Sequence, residues 1–155
     1  MVCTFMDIEA SSLGEDSFPV SIGVLDANNE SNNYEAIIRP IDAWDDWSEE
    51  AEEIHGISHG DLMSTGVSVC HVCNELNCRF AFKTIYVDSV FDLFWINRLY
   101  EAAKAKPKFL VSHIKKVVDK ERYDEFLYDL QESDLTHKPL EDARVLYKVS
   151  KGYIK

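Results

Sequence analysis

Basic side chains are almost missing from the first half of this 155-residue chain. Residues 1–78 hold Arg39 alone against sixteen Asp and Glu, whereas residues 79–155 hold fifteen Lys and Arg against twelve acids. A net charge of −12 excludes the uniformly basic surface with which polyanion binders usually meet their partner. It does not exclude an acidic site beside one basic patch, and seven of the bases fall between Lys104 and Arg122. That pairing suits a metal-dependent enzyme acting on a polyanion, with metal ions offsetting the carboxylates. On charge alone, a solvated helical face is the simpler account of those lysines.

Long apolar runs are also missing. No stretch of 18 apolar residues exists, which excludes a membrane-spanning helix. The N-terminus has no basic segment followed by an apolar run, so no signal peptide is expected. With four cysteines and no secretory signal, a reducing, cytoplasmic setting follows. Cys70, Cys73 and Cys78 have metal-like spacing, but no second ligand pair follows them. Cys70 and Cys73 stand at i, i+3 on an apolar helical stripe, where free cysteine acts as a small hydrophobe. Repeats, low-complexity tracts and linkers are absent as well. Hydrophobic residues at 46% and charged residues at 28% are globular values, and a single domain over 1–155 is predicted.

What is present begins with a short apolar strand from Val2 to Met6 that runs into Asp7-Ile8-Glu9. In a strand the i, i+2 spacing puts both acids on one face, about 7 Å apart. Two carboxylates so placed are costly unless a hard divalent cation compensates them, or unless the strand frays at Asp7 and leaves them in water. Phe18–Asp26 and Asn33–Arg39 read as two further strands joined by short polar turns, which implies an antiparallel meander. Ser48 starts a helix that Gly56 stops, and residues 67–82 carry apolar positions at helical spacing. Thr84–Val87 is a short strand; residues 90–104 form the clearest helix, with Phe91, Phe94, Trp95, Leu99 and Ala102 as its apolar stripe. A strand over 109–111 and helices over 121–131 and 139–150 complete a mixed α/β order. Trp44 and Trp47 are read as covering the core's edge, and His59 and His113 as surface residues without partners.

Three pieces add chemistry to Asp7 and Glu9. Asp88 and Asp92 bracket the start of the clearest helix, one turn apart. Pro139 suits the first turn of the last helix, which would hold Asp142 rigidly while His137 stays on the loop before it. A histidine there is well placed to take a proton from an attacking water.

Together these residues resemble the DEDDh exonucleases, the family of ribonuclease T, oligoribonuclease and the proofreading subunit of bacterial DNA polymerase. Asp7-x-Glu9 matches the first motif, Asp92 the second-motif aspartate, and His137-x4-Asp142 the third. Val20-Ser21-Ile22-Gly23, Ile54-His55-Gly56-Ile57 and Asp142-Ala143-Arg144 match in family order, so the resemblance spans nearly the whole chain. One position departs: family members commonly have Asn where Asp88 stands. An acid there is read as capping the helix that starts near Ser89, with water-mediated contact to the metal shell as the alternative, and is grouped with the substrate-side residues.

The resemblance implies a ribonuclease-H-like α/β fold: a mixed five-stranded sheet, antiparallel meander then parallel strands, flanked by helices. It implies a metal-dependent 3′–5′ exonuclease acting on the 3′ ends of single-stranded RNA or DNA. Two divalent ions, Mg²⁺ or Mn²⁺, would be held by Asp7, Glu9, Asp92 and Asp142, with His137 as general base. Four carboxylates and no cysteine independently suit those ions rather than zinc. Ser11, Ser12, Leu13 and His55 resemble positions that hold the terminal nucleotide. Relatives are often dimers, which leaves the oligomeric state open between monomer and homodimer. The alternatives are a catalytically inactive nucleic-acid-binding protein of the same fold and a nuclease that cuts internally; five intact catalytic positions argue against the first.

Overall fold

The first strand, β1 (Thr4–Ala10), sends alternate side chains to opposite faces of the sheet. Met6, Ile8 and Ala10 enter a core of 22 buried residues, and Phe5 enters a second core of 9. β2 (Pro19–Asp26) repeats the division, with Val20, Ile22 and Val24 in the larger core and Leu25 in the smaller. Asp7 and Glu9 therefore continue the Phe5 face, and their strand partners Gly23 and Ser21 continue the Leu25 face. The computed structural model describes residues 1–155.

β3 (Tyr34–Ile37), β4 (Thr84–Val87) and β5 (Leu110–His113) complete one five-stranded sheet in the order β3-β2-β1-β4-β5. The first three strands are antiparallel; β1 with β4 and β4 with β5 are parallel. The predicted mixed sheet is the one found. On the larger core pack α2 (His59–Thr65), α3 (Val69–Phe80) and α4 (Val90–Ala103), through residues such as Leu62, Val72, Leu76 and Leu99. On the smaller core pack α5 (Tyr123–Gln131) and α6 (Pro139–Ser150), through Phe126, Leu130, Ala143 and Leu146. The short α1 (Glu49–His55) ends where Gly56 takes φ 72°, the left-handed stop that glycine adopts without strain. No helix is long and apolar enough to cross a membrane.

Three local expectations change. β1 does not end at Met6 or fray at Asp7: its ladder with β2 runs through Asp7↔Gly23 and Glu9↔Ser21, so both acids stand on regular strand. α2 was not predicted, although its signal is in the sequence. Ser58 and Asp61 form a reciprocal capping box around the first turn. On α4 the buried stripe is Asp92, Trp95, Ile96 and Leu99, while Phe91 and Phe94 are 41% and 38% exposed. The helix is rotated because Asp92, one of its first residues, is drawn inward to a donor on β1.

Candidate active site

That donor is the Ile8 amide, which Asp92 Oδ1 accepts at 3.1 Å. β4 stops at Val87, so no strand backbone serves β1 at this point, and a helix-borne carboxylate replaces it. Asp92 is only 2% exposed. Asp88 follows the last residue of β4 directly. The expected cap role is not its own: Ser89 is the N-cap of α4, its Oγ accepting from Phe91 N at 3.1 Å. Asp88 instead turns to the carboxylates, and one oxygen from each of Asp7, Asp88 and Asp92 lies within 4.8 Å of the others.

The second half of the site comes from the last helix. Pro139 begins α6, and the helix's first turn rests on β2 at Gly23, where a Cβ would stand 2.1 Å from Leu140 N. Only glycine permits that approach, and it places Asp142 over Glu9. Glu9, His137 and Asp142 form a second group whose ligand atoms also lie within 4.8 Å of one another. Asp142 Oδ1 accepts from both Thr136 N at 2.8 Å and Thr136 Oγ1 at 3.0 Å. Thr136 thereby ties the loop carrying His137 to the helix, a role the sequence did not single out. His137 itself has φ 56°, with its side chain 46% exposed and Nδ1 3.8 Å from Glu9 Oε1.

Electrostatics in this group are unfavourable as they stand. Burial first, then Asp92, Glu9, Asp88 and Asp142, hold the Asp7 carboxyl well above the usual carboxylate range. Burial and then Asp142 push Glu9 up to about 7. Asp92 is raised by burial and by Asp88, and Asp88 by burial. Asp7 Oδ2 is buried without any hydrogen-bond partner. Buried acids that repel one another, one of them with an orphaned oxygen, match the donor chemistry of a hard divalent cation. Asp7, Glu9, Asp88, His137 and Asp142 line one cleft of about 90 Å³, room for ions and waters.

The residues expected near a terminal nucleotide are placed as follows. Ser11 and Ser12 both donate to Asp46 Oδ2, at 2.8 and 2.7 Å, and Ser11 also accepts from Phe18 N. Their hydroxyls thus pin the loop after β1, and Asp46 is a residue the sequence reading missed. Leu13, on that loop, is 72% exposed. His55 ends α1; its Nδ1 accepts from Ile57 N at 3.0 Å, while its buried Nε2 has no partner. With His137, Ser21 and Ile57, His55 lines a groove of about 420 Å³ beside the carboxylates.

Trp44 is buried and stacked on Phe18 at 5.2 Å, as a core-edge residue should be. Trp47 lies edge-on to His55 and to the exposed ring of His59. His113 is not a free surface residue. It is half-buried, and its Nδ1 accepts from Lys115 N. Cys3, Cys70, Cys73 and Cys78 are all free, and burial raises the Cys73 thiol to about 12, as for an inert core cysteine. The basic stretch is split by β5. Lys104, Lys106 and Lys108 precede it, whereas Lys115 and Lys116 follow it, at the end where Asp88 leaves β4.

No protein-family model and no curated protein matches the sequence. Solved structures do match. An apo exonuclease I superposes with a TM-score of 0.72 over 97% of this chain and 42% of that one, at 13% identity. A zinc-bound E. coli exonuclease I in complex with single-stranded DNA gives 0.70 over 96% and 39%, also at 13% identity. A 3′-exonuclease described as recognising the 3′ end of a histone mRNA stem-loop gives 0.62 over 94% and 61%, at 12% identity. The chain spans about two-fifths of the length of the exonuclease I structures. At these identities the likeness is one of fold: this chain has the mixed α/β architecture found in exonuclease I.

Proposed function

We propose that this chain, as a single catalytic domain over residues 1–155, is a metal-dependent 3′–5′ exonuclease of the DEDDh type. Its substrates are the 3′ ends of single-stranded RNA or DNA. The observation that carries the reading is the convergence of Asp7, Glu9, Asp92 and Asp142 with His137 at one end of a sheet shared with exonuclease I. Asp7, Glu9, Asp92 and Asp142 fit two divalent ions, Mg²⁺ or Mn²⁺, by donor type and by the unpartnered Asp7 oxygen. Such ions, when bound, supply Lewis-acid charge at the reacting phosphate and cancel the repulsion among the carboxylates.

The chain's own groups supply the rest. His137, part-exposed at the cleft, accepts the proton of the attacking water at a ring nitrogen. Glu9 Oε1 stands 3.8 Å from Nδ1, and the Thr136–Asp142 bonds keep the loop in place. The loop Ser11-Ser12-Leu13, pinned by Asp46, and His55 position the terminal nucleoside, with Leu13 free to pack on a base. Asp88 lines the same cleft. Four free thiols suit a reducing, cytoplasmic setting.

The test is a digest of 5′-end-labelled single-stranded RNA and DNA with Mg²⁺ or Mn²⁺. The expected result is a ladder shortened one nucleotide at a time from the 3′ end and abolished by chelator. Internal cuts, or no cleavage of either substrate, overturn the reading.

A further inference from the structure

We propose that Asp88 is a direct metal ligand, and that Asp7, Asp88 and Asp92 form a three-carboxylate site that retains its cation when no nucleic acid is bound. The proposal rests on the metal-dependent reading above and deepens it.

Asp88 is free to serve because the helix does not use it. Ser89 caps α4, so the Asp88 carboxylate is left for the cleft, whose wall it forms with Asp7. Its oxygen lies within 4.8 Å of oxygens from both Asp7 and Asp92. Independently, Asp7 Oδ2 is excluded from solvent and makes no hydrogen bond, a buried oxygen that no protein donor satisfies. Asp92 is fixed on the opposite side by its bond to Ile8 N, so the three acids are held by β1, by the end of β4 and by α4. Asp7 and Asp92 stand on regular elements, and Asp88 stands on the two-residue link that joins β4 to α4.

The two clusters differ in charge. Asp7, Asp88 and Asp92 supply three carboxylates; the other group supplies two, Glu9 and Asp142, beside the His137 ring. Oxygen-ligated divalent ions bind more tightly as ligand charge and site rigidity increase. The Asp7–Asp88–Asp92 cluster is therefore the one that fills first and holds an ion unaided, and the Glu9–Asp142 side fills more weakly. An asparagine at 88 would keep the shape and remove one of the three charges.

The experiment is calorimetric titration of Mg²⁺ and Mn²⁺ into the nucleic-acid-free chain and into Asp88→Asn. The expected result is two binding events in the wild type. In Asp88→Asn the tighter one is weakened on the order of tenfold or more, while the weaker one is unchanged. Superimposable titrations overturn the proposal while leaving the nuclease reading standing. Absence of any divalent-ion binding in the wild type overturns both. A second measurement needs no variant: in the ¹³C-labelled wild type, the first equivalent of Mg²⁺ should shift the Asp88 carboxyl carbon together with those of Asp7 and Asp92. An Asp88 signal that stays in place while the other two move also overturns the proposal.

Discussion

Gly23 and Leu140 meet at a distance that no side chain would allow, since a Cβ at 23 would lie 2.1 Å from the Leu140 amide nitrogen. Gly23 is also the strand partner of Asp7. The bare spot on β2 next to the first carboxylate is thus where the last helix lands, and the last carboxylate arrives with it.

Replacing Gly23 by alanine should lift the start of α6 from the sheet, because the obstructing atoms are backbone and cannot swing aside. The expected loss is about 1–3 kcal/mol of stability, the usual cost of overpacking. Hydrolysis should fall further than the unfolded fraction explains, since Asp142 moves with the helix. Urea unfolding and turnover at a temperature where the variant is folded check both. A Gly23→Ala protein with wild-type stability and rate contradicts this account of the packing.

The carboxylate cluster gives the metal-free protein an unusual pH dependence. Glu9 is pushed up to about 7 from 4.5, and Asp7, Asp88 and Asp92 are raised, chiefly by burial. A raised acid keeps its proton in the folded chain after the unfolded chain has released it, so folding is favoured below the unfolded value. That contribution is lost as pH rises through the folded value. In chelator the melting temperature should therefore fall between about pH 4.5 and pH 7.5, and Mg²⁺ should restore it. Asp7→Asn should flatten the fall, melt no lower than wild type at pH 7, and have no hydrolytic activity. A melting temperature that is level or rising over that interval counts against the buried cluster, and an active Asp7→Asn counts against the site.

His137 stands 3.8 Å from Glu9 and belongs to no regular element. As a general base its removal in His137→Ala should lower turnover on the order of 10²–10⁴-fold with metal affinity nearly unchanged. The wild-type pH–rate curve should carry a limb that the variant loses. Single-turnover pH–rate curves on both proteins decide it, because product release cannot mask chemistry there. A variant that keeps the rate and the profile leaves His137 with a structural role only.

The two halves of the basic stretch should separate in salt titrations. Lys115 and Lys116 sit at the carboxylate end of β5, Lys115 over the Tyr123 ring, whereas Lys104 and Lys106 sit at the opposite end. Charge reversal of Lys115 and Lys116 to Glu should weaken single-strand binding and reduce the slope of log affinity against log salt. The same change at Lys104 and Lys106 should leave that slope nearly intact. Equal slopes for the two variants would mean that neither pair steers the strand.

The sequence alone determined the pieces that depend on local rules. Alternation fixed that Asp7 and Glu9 share a face, because a strand repeats every two residues whatever packs against it. Local turn and cap chemistry marked Ser48, Gly56 and Pro139 as helix ends, and β4 and α6 appear within the predicted limits. Family-ordered motifs named Asp92, His137 and Asp142 although all three are far in sequence from Asp7 and Glu9. Tertiary structure decided what depends on contacts between distant segments. Asp92, not the Phe91–Phe94 pair, sets the rotation of α4, because a buried strand donor at Ile8 had no other acceptor. Thr136 and Asp46 acquired roles only through their partners Asp142 and Ser11. Asp88 changed from cap to wall of the cleft because Ser89, one residue later, already satisfied the helix. A carboxylate's sequence position says which element carries it; which group it answers to is set by the atoms that folding brings within a few ångströms.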